Sequence, residues 1–231
     1  MKHTHLSPLI LLAVFLTACV PIPQPTPMPD SAKNIRFLAL GDSYTIGESV
    51  GETERWPVQL AALLKEKGFN TQLDMIARTG WTTNELWSAI QQSSPQGSYD
   101  LVSLLIGVND EYRGGATDQY RQDFRFLLGK AIQYAGGDPK RVIVLSIPDW
   151  GVTPYAQNDS RPAAQISAEI DAFNAINQDE SQKAGVHYVD ITPISREAPK
   201  DPALIARDGL HPSGKMYAAW VALALPEVNL P

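Results

Sequence analysis

A serine stands at the end of an apolar run in IRFLALGDS, residues 35–43. A serine hydroxyl is a weak nucleophile until a base takes its proton, and histidine is the usual base near neutral pH. Of the four histidines, His3 and His5 belong to the N-terminal leader, which leaves His187 and His211. His187 lies inside the apolar stretch 186–189, where a structural strand residue is expected. His211 precedes Pro212 in a loop, with Pro212 well suited to the first turn of a helix. Asp208 comes three residues before His211, near enough in a turn to hold one imidazole nitrogen and set the tautomer. That makes His211 the better base. A plainer reading of Asp42-Ser43 stays open, because Asp and Ser are also favoured helix N-caps.

Acyl transfer needs hydrogen-bond donors aimed at the oxyanion of its tetrahedral intermediate. Gly80 lacks a side chain and permits close backbone approach, Asn109 offers an amide NH2, and the Ser43 N–H is a third donor. Asn109-Asp110 also suits a simple turn, and Asp208-Gly209 does too.

These residues need elements to position them. Apolar runs rich in branched residues predict strands over 35–40, 72–76, 101–106, 142–147 and 186–189. Helix-period segments predict helices over 57–67, 83–92, 117–135, 163–183 and 213–225. Residues 101–106 and 142–147 are almost wholly apolar, as in central strands covered on both faces. Strand–helix alternation implies parallel strands joined by crossovers. The expected fold is therefore α/β, a three-layer α/β/α domain on a five-stranded parallel sheet. Ligands in such sheets sit outside the carboxyl ends of the strands. Ser43, Gly80, Asn109 and Asp208–His211 each follow a predicted strand, so all of them should reach one rim.

The set Gly41-Asp42-Ser43, Gly80, Gly107-x-Asn109-Asp110 and Asp208-x-x-His211 resembles the SGNH hydrolases, also called the GDSL esterase/lipase family. The blocks occur in family order and span 35–212. The resemblance implies a flavodoxin-like fold, Ser43 as nucleophile, Asp208 and His211 as the rest of a triad, and Ser43, Gly80 and Asn109 as the oxyanion hole. It implies a serine esterase acting on short-chain acyl or lysophospholipid-like carboxylic esters. A carbohydrate O-acetylesterase is the alternative, and a non-catalytic surface binding protein with this fold is a further one. Tyr44 replaces the Leu of the family's name motif. With Trp81, Tyr112, Trp150 and Tyr155, it is a candidate for the substrate pocket. Trp87, within a helix pattern, is expected in the core.

The flanks and composition narrow the setting. Lys2 followed by LILLAVFL at 9–16 has the form of a signal peptide, too short to span a membrane. It ends in LTAC at 16–19, which resembles a bacterial lipoprotein box with Cys19, the sole cysteine, as the lipidated residue. Proline at alternate positions then suggests an extended spacer. The expected division is a signal peptide over 1–18, lipidated Cys19 and spacer over 19–33, and the hydrolase domain over 34–231. Localisation would be extracytoplasmic, with the Cys19 lipid as membrane partner and the oligomeric state left open. A net charge of −6 and no basic cluster argue against nucleic acid. Two histidines outside the leader and no free thiol there leave no transition-metal ligand set. No Walker loop or GxGxxG is present, so no cofactor is expected.

Overall fold

The computed structural model describes Met1 and residues 32–230. The expected leader, Cys19 and nearly all of the spacer lie outside the described residues.

Five strands form one parallel sheet: β1 (Lys33–Gly41), β2 (Phe69–Ala77), β3 (Leu101–Leu105), β4 (Val142–Leu145) and β5 (His187–Val189), in the order β2-β1-β3-β4-β5. Among the described residues eight α-helices accompany them: α1 (Ser43–Ile46), α2 (Trp56–Glu66), α3 (Thr83–Ser93), α4 (Val108–Tyr112), α5 (Thr117–Tyr134), α6 (Ala163–Ala184), α7 (Thr192–Ser195) and α8 (Gly214–Ala224). This is the expected three-layer α/β/α fold. Every residue of β3 and β4 is buried, as their continuous apolar character requires. The hydrophobic contacts of the two helical layers join through them into one core.

Strand order reverses at β1, where the chain crosses one way to β2 and the other way to β3. That reversal opens a crevice at the carboxyl ends. Gly41, the last residue of β1, pairs with Ala77 on one side and Leu105 on the other. A Cβ there would meet Thr45 Oγ1 at 2.2 Å and the Leu105 carbonyl at 2.5 Å. Glycine therefore lets the chain turn sharply out of the sheet and present the next residues at the crevice.

The long elements match the sequence expectations to within a few residues. The four- and five-residue helices α1, α4 and α7 are too short to show a helical period. All three lie just beyond strand ends.

Candidate active site

Ser43 opens α1, but it does not cap it. Asp42 is the N-cap, its Oδ1 accepting from the Tyr44 N–H at 3.0 Å. The alternatives left by the sequence thus fall on neighbouring residues: the aspartate caps, and the serine side chain reaches a cavity. Asp42 is fully buried and its Oδ2 has no hydrogen-bond partner. Burial pushes its carboxyl up to about 8, with the Tyr44 N–H opposing the shift.

A cavity of about 180 Å³ is lined by Ser43, Gly80, Asn109 and His211, with Tyr112 and Trp150 among its other walls. Four strand ends thus meet in one cleft, as the rim argument requires. Gly80 has φ +88, and a Cβ there would meet nothing within 4 Å. Its conformation rather than crowding calls for glycine. Arg113 donates to the Gly80 carbonyl at 2.7 Å, and Asn109 Nδ2 donates to the Trp81 carbonyl at 2.9 Å. The loop holding Gly80 is therefore bound twice to α4 and its C-terminal cap, and Asn109 keeps a second amide hydrogen. Asp110 turns the other way. It accepts from the Thr83 N–H at 3.0 Å and the Thr83 hydroxyl at 2.7 Å, locking α4 to the start of α3.

His211 sits in a hairpin closed by an antiparallel bridge between Ile205 and Pro212. Its Nδ1 lies 2.5 Å from Asp208 Oδ2. Asp208 Oδ1 accepts from the N–H groups of Leu210 and His211, each at 3.0 Å, and Ser49 Oγ donates to Oδ2 at 2.6 Å. Partial burial opposes ionisation of Asp208, yet the hydrogen bonds from Ser49, His211 and the backbone hold its carboxyl well below the usual range. An ionised Asp208 orients His211 with Nδ1 protonated, leaving Nε2 as the basic nitrogen. His187, by contrast, lies on edge strand β5 with its Nδ1 3.0 Å from Glu227 Oε2, outside the cavity.

The aromatic candidates divide. Tyr112, Trp150 and Tyr155 line the cavity, with Trp150 edge-on to Tyr112 at 5.5 Å and to Tyr155 at 6.3 Å. Tyr44 does not line it. Tyr44 is buried, packing edge-on against His211 at 5.8 Å and Trp220 at 6.4 Å, so it backs the imidazole. Trp81 is also absent from the lining; it is half-buried against the core and contributes its carbonyl to Asn109. Trp87 packs against the core, half-buried, and contacts exposed Phe126.

Sequence reasoning missed Glu111 and Arg161. Buried Glu111 accepts from Trp150 Nε1 at 2.9 Å and from Arg161 at 2.6 Å. Arg161 also pairs with Asp159 and Glu169 and lies 5.2 Å from the Trp150 ring centroid. Ser49 was missed as well. Among the described residues no group of three or more His, Cys, Asp or Glu is placed to hold a metal, and no helix is long and apolar enough to cross a membrane.

The model of the GDSL-like lipase/acylhydrolase family matches residues 39–219. No curated protein matches the chain in sequence. Among solved structures, TesA superposes with a TM-score of 0.66 at 18% identity, covering 84% of this chain and 98% of TesA. Axe2, an acetylxylan esterase from Geobacillus stearothermophilus, gives 0.66 at 18% identity, covering 87% of this chain and 97% of its own. The psychrotrophic esterase EstA from Pseudoalteromonas sp. gives 0.61 at 16%, covering 84% and 96%. These likenesses establish a common fold.

Proposed function

Since this chain belongs to the GDSL-like lipase/acylhydrolase family of ester hydrolases, we propose that Ser43, His211 and Asp208 are its catalytic triad and that it cleaves carboxylic esters of short acyl groups. The observation that carries this reading is that Ser43 and His211 share one cavity with Gly80 and Asn109, while Asp208 holds the far nitrogen of His211.

Ser43 Oγ attacks the ester carbonyl carbon as its proton passes to His211 Nε2. The carbonyl π pair moves to oxygen, and that oxyanion is received by the N–H groups of Ser43 and Gly80 and by the free amide hydrogen of Asn109. Each such donor contributes about 3 kcal/mol to the transition state. Collapse of the intermediate breaks the C–O bond, and the departing alkoxide takes the proton from His211. Water, deprotonated by the same nitrogen, then attacks the acyl-serine, and a second collapse returns the proton to Ser43. Asp208 stabilises the transient imidazolium without taking a proton.

Cavity size supports small acyl groups. About 180 Å³ is below the roughly 300–1,000 Å³ of drug-sized ligand sites, and Val108, Trp150 and Leu210 make its walls largely apolar. The test is a p-nitrophenyl ester series from acetate to laurate. We expect the highest kcat/KM at the short end, and a rise toward laurate would overturn the assignment. A second reading, removal of O-acetyl groups from carbohydrate, draws on Tyr112 and Tyr155, which are exposed at the mouth where a sugar ring can stack. Faster release of acetate from acetylated xylan than from p-nitrophenyl acetate would favour it.

The lipoprotein box at 16–19 supports attachment of the domain to a membrane through Cys19. A Cys19→Ser chain should then leave the membrane fraction.

A further inference from the structure

We propose that Ser49 is a positioning residue of the reaction, its hydroxyl fixing the Asp208 carboxylate and tying it to the segment that carries the nucleophile. This rests on the triad assigned above.

Asp208 Oδ2 is shared. It receives His211 Nδ1 at 2.5 Å and Ser49 Oγ at 2.6 Å, while Oδ1 receives two backbone N–H groups. Each carboxylate oxygen thus has two partners, and rotation about Cβ–Cγ would break all four contacts. Without Ser49, Oδ2 depends on the imidazole alone, on a side chain that is about a third exposed (31%).

The backbone supports the same reading. Ser49 has φ +66 and is one of two non-glycine residues with positive φ among the described residues. The other, Ser94, ends α3 as its C-cap, where a left-handed residue is common. Ser49 ends no helix and is exposed, so core packing does not account for its conformation. What the conformation accomplishes is the bond to Asp208.

The turn bearing Ser49 is also bound to the nucleophile. The N–H groups of Gly47 and Glu48 both donate to the Ser43 carbonyl at 3.0 Å, and Glu48 accepts from the Thr79 hydroxyl beside Gly80. Residues 47–49, none of which lines the cavity, therefore join the Ser43 backbone, the Gly80 loop and the Asp208 carboxylate. Ser49 itself is not part of the cavity lining, so it acts through Asp208 and makes no contact with substrate.

The test compares Ser49→Ala, Ser49→Thr, Ser49→Gly, Asp208→Asn and the Ser49→Ala/Asp208→Asn pair in the full chain, using p-nitrophenyl acetate and fluorophosphonate labelling of Ser43. Loss of a charge-assisted hydrogen bond should lower kcat about tenfold in Ser49→Ala, with KM within about twofold. Labelling should slow in parallel. Ser49→Thr keeps the hydroxyl and should retain more of kcat than Ser49→Gly, although a β-branched residue is strained at this φ. Ser49→Gly should not recover kcat, although it relieves the positive φ. Once Asp208 is Asn, Ser49→Ala should have no further effect. A wild-type kcat in Ser49→Ala, recovery in Ser49→Gly, or multiplicative losses in the pair would overturn the role of Ser49. A wild-type kcat in Asp208→Asn would instead overturn the triad.

Discussion

The indole N–H of Trp150 donates to the buried carboxylate of Glu111, two residues beyond Asn109 on the same short helix. One turn of chain after β3 therefore supplies the proposed oxyanion donor and the anchor for a wall of the cavity. The outer oxygen of Glu111 is held by Arg161, so this wall depends on a charge pair behind it.

Weakening that anchor should alter selectivity as well as stability. Glu111→Gln keeps an acceptor for Trp150 but leaves Arg161 without its most buried partner, and should cost about 3 kcal/mol in urea unfolding. Trp150→Phe leaves Glu111 Oε2 without a donor, at about 1–3 kcal/mol. The smaller ring should also move the optimum of the ester series to longer acyl chains. An unchanged optimum would mean that Trp150 does not bound the acyl site.

His187 and His211 should behave oppositely. His211→Ala and Ser43→Ala should each lower kcat by about 10³-fold or more with melting temperatures close to wild type. His187→Ala loses a half-exposed contact with Glu227, costs less than about 1 kcal/mol, and should hydrolyse p-nitrophenyl acetate normally.

Buried Asp42 links stability to pH. Burial first of all holds its folded carboxyl up at about 8 against an ordinary 3.8, so the native state keeps a proton that the unfolded chain releases. Its contribution is fully present below pH 3.8 and is lost as pH rises toward 8. Asp42→Asn carries a neutral group at every pH, and its unfolding free energy should decline less across that interval. Parallel stability–pH curves for the two proteins would refute the assignment.

Gly107 has φ +127, and a Cβ there would approach the Tyr120 hydroxyl at 2.2 Å. That hydroxyl is already committed to the Ile106 carbonyl and to Asn177, so it cannot yield without breaking buried bonds. Gly107→Ala should cost more than about 2 kcal/mol and reduce the soluble yield, whereas Gly129→Ala, where a Cβ meets nothing, should not.

What could be read in advance divides by range. Strands and long helices announce themselves through local periodicity, and the rim that collects Ser43, Gly80, Asn109 and His211 follows from parallel topology. Asp208 was legible because it lies in the same turn as His211. The Ser49–Asp208 bond joins positions 159 apart, and Glu111–Trp150 spans 39. No local pattern encodes such pairings; they arise only when separate strand ends are brought together. Tyr44 was misplaced for a different reason. In a single turn of helix, one residue's rotation separates a side chain facing the cavity from one packed behind the imidazole.

Strand β1 begins at Lys33 and ends beside Ser43. Eight rises of about 3.3 Å place the two ends of the strand roughly 26 Å apart. The chain thus enters the domain at one pole and presents Ser43 at the other. An attachment ahead of Lys33, as proposed through Cys19, would therefore join the domain at the pole remote from the cleft and leave the cavity mouth clear of the point of attachment.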